Sequence, residues 1–274
     1  MRTYSPKISL NKNSRGVYII DPTMGCSSGM GETGGGCYGE CYSAKSAKIY
    51  GYDFTKTVTR HFQNERHKRR IINQIRRIDM PFVRMGGSGD PSENWEHTLS
   101  VCGVISKGGK EIVIITRHWT ILTDQQLEYL KTINVCINTS VSALDNIEML
   151  NRSIQQYKRL KPFCKSVLRI VSCDFNLENE TGKALSIIQD ELFKNESIID
   201  TVFRPYSKSK WIADGIINVK KGVFNGSKQL MSKRNRKTYT GRCGACKEMC
   251  GLNIETPEYD FPIKRKVTKQ STLF

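Results

Sequence analysis

The chain lacks long apolar runs. Its longest, such as Ile112-Val113-Ile114-Ile115, are strand-sized, far short of the roughly 20 residues that a membrane-crossing helix needs. No membrane partner is therefore expected. It also lacks an apolar core near its start: MRTYSPKISLNKNSRGVYII is polar, which offers no export signal and points to a cytoplasmic, reducing setting. Internal repeats and low-complexity blocks are absent, which excludes a solenoid or a collagen-like chain. Acid is scarce, with 26 Asp+Glu against 43 Lys+Arg and a formal net charge of +17 over 274 residues. The remainder is ordinary for a globular protein, 38% hydrophobic and 25% charged, so the chain buries a core and is not disordered.

Cysteine is abundant. Ten cysteines in a reducing compartment favour metal binding or catalysis over disulfides. Cys102, Cys136, Cys164 and Cys173 sit singly among apolar residues and read as small buried hydrophobes. The other six form two groups. Cys26, Cys37 and Cys41 lie in the glycine-rich run MGCSSGMGETGGGCYGECYSAK, and Cys243, Cys246 and Cys250 in GRCGACKEMCG. Thiolates select zinc or iron–sulfur clusters, and glycines let backbone wrap a bulky core. A three-thiolate set leaves a position open, whereas structural zinc takes a fourth protein ligand; zinc completed by a distant residue stays open for both groups.

Between the groups, short β-branched runs alternate with helical periodicity, the pattern of βα units on a parallel sheet. Six strands are expected: Gly16 to Ile20, Pro81 to Met85, Ile112 to Thr116, Val135 to Ser140, Val167 to Ser172 and Ile199 to Arg204. Helices are expected over Phe54 to Ile78, from Trp95, from a Thr123 cap, over Asp145 to Lys161 and over Glu180 to Lys194. Six units are too few for a closed eightfold barrel, so the fold class is α/β, a partial (βα)6 TIM-like barrel with a C-terminal cysteine-containing extension. Residues 1–205 form the barrel and residues 206–274 the basic extension, whose last run, KRKVTKQSTLF, is frayed or partner-bound. An active site then belongs at the C-terminal strand ends. The cysteine loop, Gly86-Gly87-Ser88-Gly89-Asp90, Arg117-His118, Ser140 and Ser142, Asn176 and Arg204 all follow or end strands.

A three-cysteine loop after the first strand and a glycine loop after the second resemble the radical S-adenosylmethionine superfamily. CYGECYSAK, VRMGGSGDPSENW, IITRHW and CGACKEMC look like a set of small, often phage-encoded radical-SAM-like iron–sulfur proteins within it. The motif is atypical: C-x3-C with the remaining cysteine upstream, in place of CxxxCxxC. The resemblance implies a [4Fe–4S] cluster on Cys26, Cys37 and Cys41 and S-adenosylmethionine on its open iron. Gly86, Gly87, Ser88 and Asp90 would meet the methionine amino group; Ser140 and Ser142, with Asn176 or Arg169, would approach the ribose or carboxylate. It implies reduction by a donor such as flavodoxin or ferredoxin and cleavage of the sulfonium to a 5′-deoxyadenosyl radical. Cys243, Cys246 and Cys250 would hold a second iron–sulfur cluster or zinc.

Two other readings compete. Asp90 at a strand end suits the nucleophile of a base-exchanging transglycosylase barrel with a zinc site, and the charge and cysteines suit a non-catalytic, zinc-stabilised nucleic-acid-binding module. Basic residues cluster in Arg60 to Arg77 and Lys228 to Arg242, the footprint of a nucleic-acid binder. Arg69, Arg70, Arg234 and Arg236 are the candidate phosphate contacts. Tyr239 and Trp211 are candidate stacking platforms for a displaced base.

Overall fold

The computed structural model describes residues 2–33 and 36–256; KRKVTKQSTLF lies outside the described residues. One seven-stranded sheet organises the chain. Its strands are β1 (Asn11–Lys12), β2 (Tyr18–Ile19), β3 (Phe82–Met85), β4 (Glu111–Thr116), β5 (Val135–Val141), β6 (Lys165–Ser172) and β7 (Ile198–Val202). They lie side by side in chain order. All except β1, which pairs antiparallel with β2, run parallel. The protein is thus α/β with a parallel sheet. Among the described residues β1 and β7 are not paired with each other, so the sheet is open.

Helices Glu65–Arg76, Trp95–Ile105, Asp124–Leu130, Ile147–Leu160 and Glu180–Leu192 make the crossovers. Each starts at a side chain that accepts from an orphan amide, the standard way to begin a helix. Asn64 caps the first, Asn94 the second, Thr123 the third, Asn146 the fourth and Asn179 the fifth. Thr123 and Gln126 form a reciprocal capping box, which confirms the expected start there.

Because side chains alternate across a strand, the sheet has two different faces. One carries Val83, Met85, Ile112, Ile114, Val135 and Ile137, packed against Ile71, Ile75, Leu99, Leu127 and Leu160 of the helices. The other is divided along the strands. Its N-terminal half is apolar, with Phe82, Val113, Cys136, Val167 and Ile199 packed against Cys243, Cys250 and Leu252. Its C-terminal half presents Arg84, Ile115, Ser140, Arg169, Val171 and Thr201 to a cavity. The C-terminal cysteine loop thus fills the lower half of the inner face and leaves the upper half open.

The expected helix over Phe54 to Ile78 is corrected. Val58–Thr59 instead pairs antiparallel with Thr23–Met24, Phe54 packs in the cluster around Cys26, and the helix begins only after Asn64. The first strand is also shorter than expected, because Gly16 turns at φ 80, a left-handed conformation that glycine adopts without strain. Two short helices inside the cysteine loop, Ser27–Thr33 and Tyr42–Ile49, had no counterpart in the sequence pattern. No helix among the described residues is long and apolar enough to cross a membrane.

Candidate active site

A cavity of 750 Å³ opens at the C-terminal ends of the parallel strands. This volume is in the range of small-molecule sites, roughly 300–1,000 Å³. Cys26, Cys37 and Cys41 line it together with Gly86 to Asp90, Arg117 and Ser140. The loops after β2, β3 and β4 therefore meet where the strand order placed them.

Each cysteine sits at a constrained point of its loop. Cys26 precedes helix Ser27–Thr33, and its thiol donates to Glu93 Oε1 at 3.4 Å. The same carboxylate accepts from Ser28 N at 2.9 Å, Ser27 Oγ at 2.8 Å and Thr57 Oγ1 at 3.1 Å, and so fixes the start of that helix. Cys37 begins a tight turn in which Tyr38 is left-handed at φ 60. Cys41 is the N-cap of helix Tyr42–Ile49, and its carbonyl accepts from the Tyr206 hydroxyl. Gly36 has no alternative here: a Cβ would lie 2.3 Å from Cys41 Cβ. Glycine lets these two cysteine-bearing turns approach.

Burial governs the thiols. It raises Cys26, with Asp90 and Glu93 adding to the effect. It pushes Cys37 up to about 12 against the opposing pull of the Arg117 guanidinium. Cys41 is raised by burial and partly relieved by the amides of Ala44 and Ser43. All three are therefore protonated at neutral pH in this state, and a metal would displace those protons. Among the described residues no three His, Cys, Asp or Glu side chains converge tightly enough to chelate one ion. Three thiols around one cavity wall, on glycine-hinged turns, match the donor chemistry of an iron–sulfur cluster, whose ligands surround a polynuclear core.

Two carboxylates shape the glycine loop, and the sequence revealed only one. Asp21, 5% exposed, accepts from Gly86 N at 3.0 Å and Gly87 N at 2.8 Å through Oδ1, and from Ser88 N at 3.2 Å through Oδ2. The amides of this loop thus point at Asp21, while the Gly87 carbonyl accepts from the Tyr42 hydroxyl at 3.3 Å and the Ser43 hydroxyl at 3.4 Å, and the Ser88 carbonyl from Gly25 N at 3.0 Å. Burial raises the Asp21 carboxyl against the lowering effect of those amides. A Cβ on Gly87 would sit 2.9 Å from Ile19 Cδ1 and 3.0 Å from Asp21 Oδ2. Asp90, 7% exposed, accepts from Ser92 N at 2.9 Å, Ser92 Oγ at 2.7 Å, Thr116 Oγ1 at 2.6 Å and Arg117 N at 2.7 Å. Its oxygens tie the loops after β3 and β4 together.

Arg117 occupies the centre of the site. Its guanidinium donates to Tyr38 Oη at 2.8 Å and Ser140 O at 2.7 Å and pairs with Asp145. Burial would lower it, but Asp145, Tyr38 and Cys37 more than compensate and hold it charged. Asp145 in turn accepts from Ser142 N at 2.8 Å. The neighbour His118 is wholly buried at φ 54, with Nε2 3.0 Å from Thr139 Oγ1. Trp119 lines the cavity beside Cys26, and its indole N–H is buried without a partner.

Other sequence candidates fall elsewhere. Ser142 is fully buried, and its hydroxyl donates to Val171 O at 2.7 Å, outside the cavity lining. Asn176 donates to Gly215 O at 2.9 Å and holds the short pairing of Asp174–Phe175 with Ile217–Asn218. Arg169 and Ser140 do line the cavity; Arg69, Arg70, Arg234 and Arg236 do not. Arg60 is no surface cation, being 8% exposed with Nη2 2.8 Å from Ser9 Oγ. Arg234 pairs with Asp190 at 3.0 Å and covers the Phe193 ring. Trp211 donates to Tyr38 O at 3.0 Å and the Tyr239 hydroxyl donates to Arg242 O, so both rings brace local backbone.

The second cysteine group is folded into the sheet. Met249, Cys250 and Gly251 are successively left-handed at φ 47, 55 and 96. Cys250 O accepts from Asn138 Nδ2 at 3.0 Å, and Leu252 O from Lys165 Nζ at 2.6 Å. The Cys243 thiol donates to Cys250, which lowers Cys250 and raises Cys243; Arg84, Arg169 and Arg15 face the same pair. Cys246 is half-buried at its edge.

No family model matches the chain, and no curated protein matches it. Among solved structures, a mutant spore photoproduct lyase with bound AdoMet and dinucleoside spore photoproduct is similar at a TM-score of 0.48. The two share 12% identity over 85% of this chain and 73% of that one.

Proposed function

We propose that this protein is an iron–sulfur enzyme of the radical S-adenosylmethionine type, its inner face curved as a partial barrel. The observation that supports this reading is the common cavity. Three thiols from the loop after the first parallel strand and a glycine loop from the second line one space at the strands' C-terminal ends. Cys26, Cys37 and Cys41 would hold the cluster, and the loop from Gly86 to Asp90 would receive the cofactor's methionine end. When bound, the two groups supply one-electron cleavage of a carbon–sulfur bond.

The chain's own residues do the positioning. Asp21 and Asp90 hold the glycine loop in one conformation, and Glu93 fixes the turn that carries Cys26. Arg117 places a fixed positive charge next to Cys37, which favours a thiolate there. Phe54 and Trp119 wall the cavity beside the cysteines and exclude water. A base-exchange enzyme would need Asp90 free to attack, whereas all its hydrogen bonds serve the loops. Cys243, Cys246 and Cys250 form a second candidate site for an auxiliary cluster or zinc. The exposed basic residues offer docking for nucleic acid, and a flavodoxin or ferredoxin would be the reductant.

Anaerobic purification tests this reading. The protein should be brown, absorb broadly near roughly 400 nm through thiolate-to-iron charge transfer, contain iron and sulfide, and release 5′-deoxyadenosine when reduced with S-adenosylmethionine. Replacing Cys26, Cys37 and Cys41 together with Ala should remove that cluster's iron while the protein stays folded. A colourless zinc protein, or a triple variant with undiminished iron, would overturn it.

A further inference from the structure

One end of the cavity is lined by arginine without carboxylate partners. Arg15, Arg84, Arg169, Arg204 and Arg242 all border it. None of the five forms an ion pair among the described residues. Arg84 is 7% exposed, and its Nε, like that of Arg15, is buried without a hydrogen-bond partner. Burial lowers Arg169, Cys250 opposes that effect, and the neighbouring Arg84 and Arg15 lower it further. Burial lowers Arg204 as well, opposed by Tyr42 and reinforced by Arg15 and Arg169. The lowered Cys250 thiol offsets part of this charge, but five guanidiniums gathered in a partly desolvated space remain costly unless a further anion joins them.

The carboxylates nearby form no ion pair with these arginines: Asp21 is engaged by three amides, and Glu248 and Glu40 lie near without pairing, Glu40 lining the cavity with Oε1 unpartnered. Asp90 is engaged by four donors, Glu40 accepts from Tyr206 N at 2.8 Å, and Asp145 belongs to Arg117. Phe224 lies between Arg204 and Arg15, whose guanidinium carbons are 4.2 Å and 4.8 Å from the ring centroid. Arg204 also covers Tyr42 at 5.0 Å. These aromatic contacts hold the two guanidinium planes while leaving donors available. A planar fork of N–H groups matches the oxygens of a phosphate.

We propose that this arginine end is the phosphate subsite of the cavity and that the substrate is a nucleotide, free or within a nucleic acid. The phosphate is gripped by Arg84, Arg169 and Arg204, and the rest of the molecule extends along the aromatic wall towards Cys26, Cys37 and Cys41. The inference names a substrate class for the reading above and rests on the same cavity. Its binding test does not need a cluster, so the two fail separately.

The probes are AMP, GMP, CMP and UMP, their parent nucleosides, and a short single-stranded oligonucleotide. Binding is measured by calorimetry at two salt concentrations on the anaerobically purified protein and on the Cys26, Cys37 and Cys41 triple Ala variant. At least one phosphate-bearing probe should bind both proteins more tightly than its nucleoside, and added salt should weaken it. Arg169→Gln and Arg204→Gln should each weaken it about ten- to hundredfold, as expected for loss of a charge-assisted hydrogen-bonding pair. The double variant Arg69→Gln, Arg70→Gln should match the wild type for mononucleotides. Binding of the oligonucleotide alone would assign the phosphate to a polynucleotide, within the proposal. Equal affinity for nucleoside and nucleotide would overturn it, as would arginine variants that change only the metal content of the C-terminal cysteine loop.

Discussion

Asp21 offers a quantitative test of how the glycine loop is held. Its carboxylate accepts from three consecutive, partly buried amides, at 3.0, 2.8 and 3.2 Å. Asp21→Ala leaves all three without that acceptor; a fully buried stranded donor costs about 1–3 kcal/mol, and these half-buried ones fall at the low end. The sum, partly relieved by relaxation and by water from the cavity, is about 2–3 kcal/mol. Asp21→Asn is a graded version. Its carbonyl oxygen keeps the bonds to Gly86 and Gly87, but its amide turns a donor against the half-buried Ser88 N–H, so the cost is about 1 kcal/mol. In a chain of this size each kcal/mol moves Tm by about 2–4 °C. Urea unfolding should show falling midpoints in the order wild type, Asn, Ala, with an unchanged slope. Calorimetry should show S-adenosylmethionine affinity falling in the same order. Equal midpoints for Asn and Ala would refute the amide argument, because the variants differ in the two bonds that Asn keeps.

Two further outcomes follow from other buried positions. Burial, reinforced by Arg117 and Arg152, holds His118 down at about 3, below its usual value near roughly 6.5. The folded state keeps it neutral while the unfolded chain takes up a proton, so its contribution is complete above about pH 6.5 and is lost as pH falls towards 3, on the order of 4 kcal/mol in all. His118→Gln should flatten that acid limb in unfolding measurements from pH 7 to 4, and an unchanged limb would refute the assignment. At Gly251, φ is 96 and a Cβ would lie 3.0 Å from Val167 Cγ2 and 3.3 Å from Cys136 Sγ. Gly251→Ala should destabilise by about 1–3 kcal/mol and speed modification of Cys243 and Cys250 by a thiol reagent; unaltered reactivity would show that the loop does not depend on this packing.

The sheet was legible because parallel strands are buried on both faces and read as β-branched runs. Val135–Val141 is buried throughout and was expected within one residue. The segment from Phe54 misled because Phe54, Val58 and Phe62 are spaced four apart, as on a helix. They are apolar for separate reasons: Phe54 and Val58 pack around Cys26, whereas Phe62 packs on the main core. The three cavity thiols could be read from their glycine-rich loop. Asp21 could not, since its partners lie 65 to 67 residues along the chain and nothing beside it marks the contact. The same holds for the arginine end of the cavity, which gathers Arg15, Arg84, Arg169 and Arg204 from β-strands and loops with no common motif.

The order of synthesis gives the C-terminal cysteine loop a further role. Strands β3 to β7 leave the ribosome well before residues 243–252, which cover Val113, Cys136, Val167 and Ile199. The nascent sheet therefore carries a bare apolar row on its inner side until residues 243–252 have been made, and such surfaces invite aggregation. Completion of the floor beneath Arg84 and Arg169 follows the sheet strands in the order of synthesis. A polypeptide released before Cys243 would possess every strand of the sheet and still be a client for chaperones.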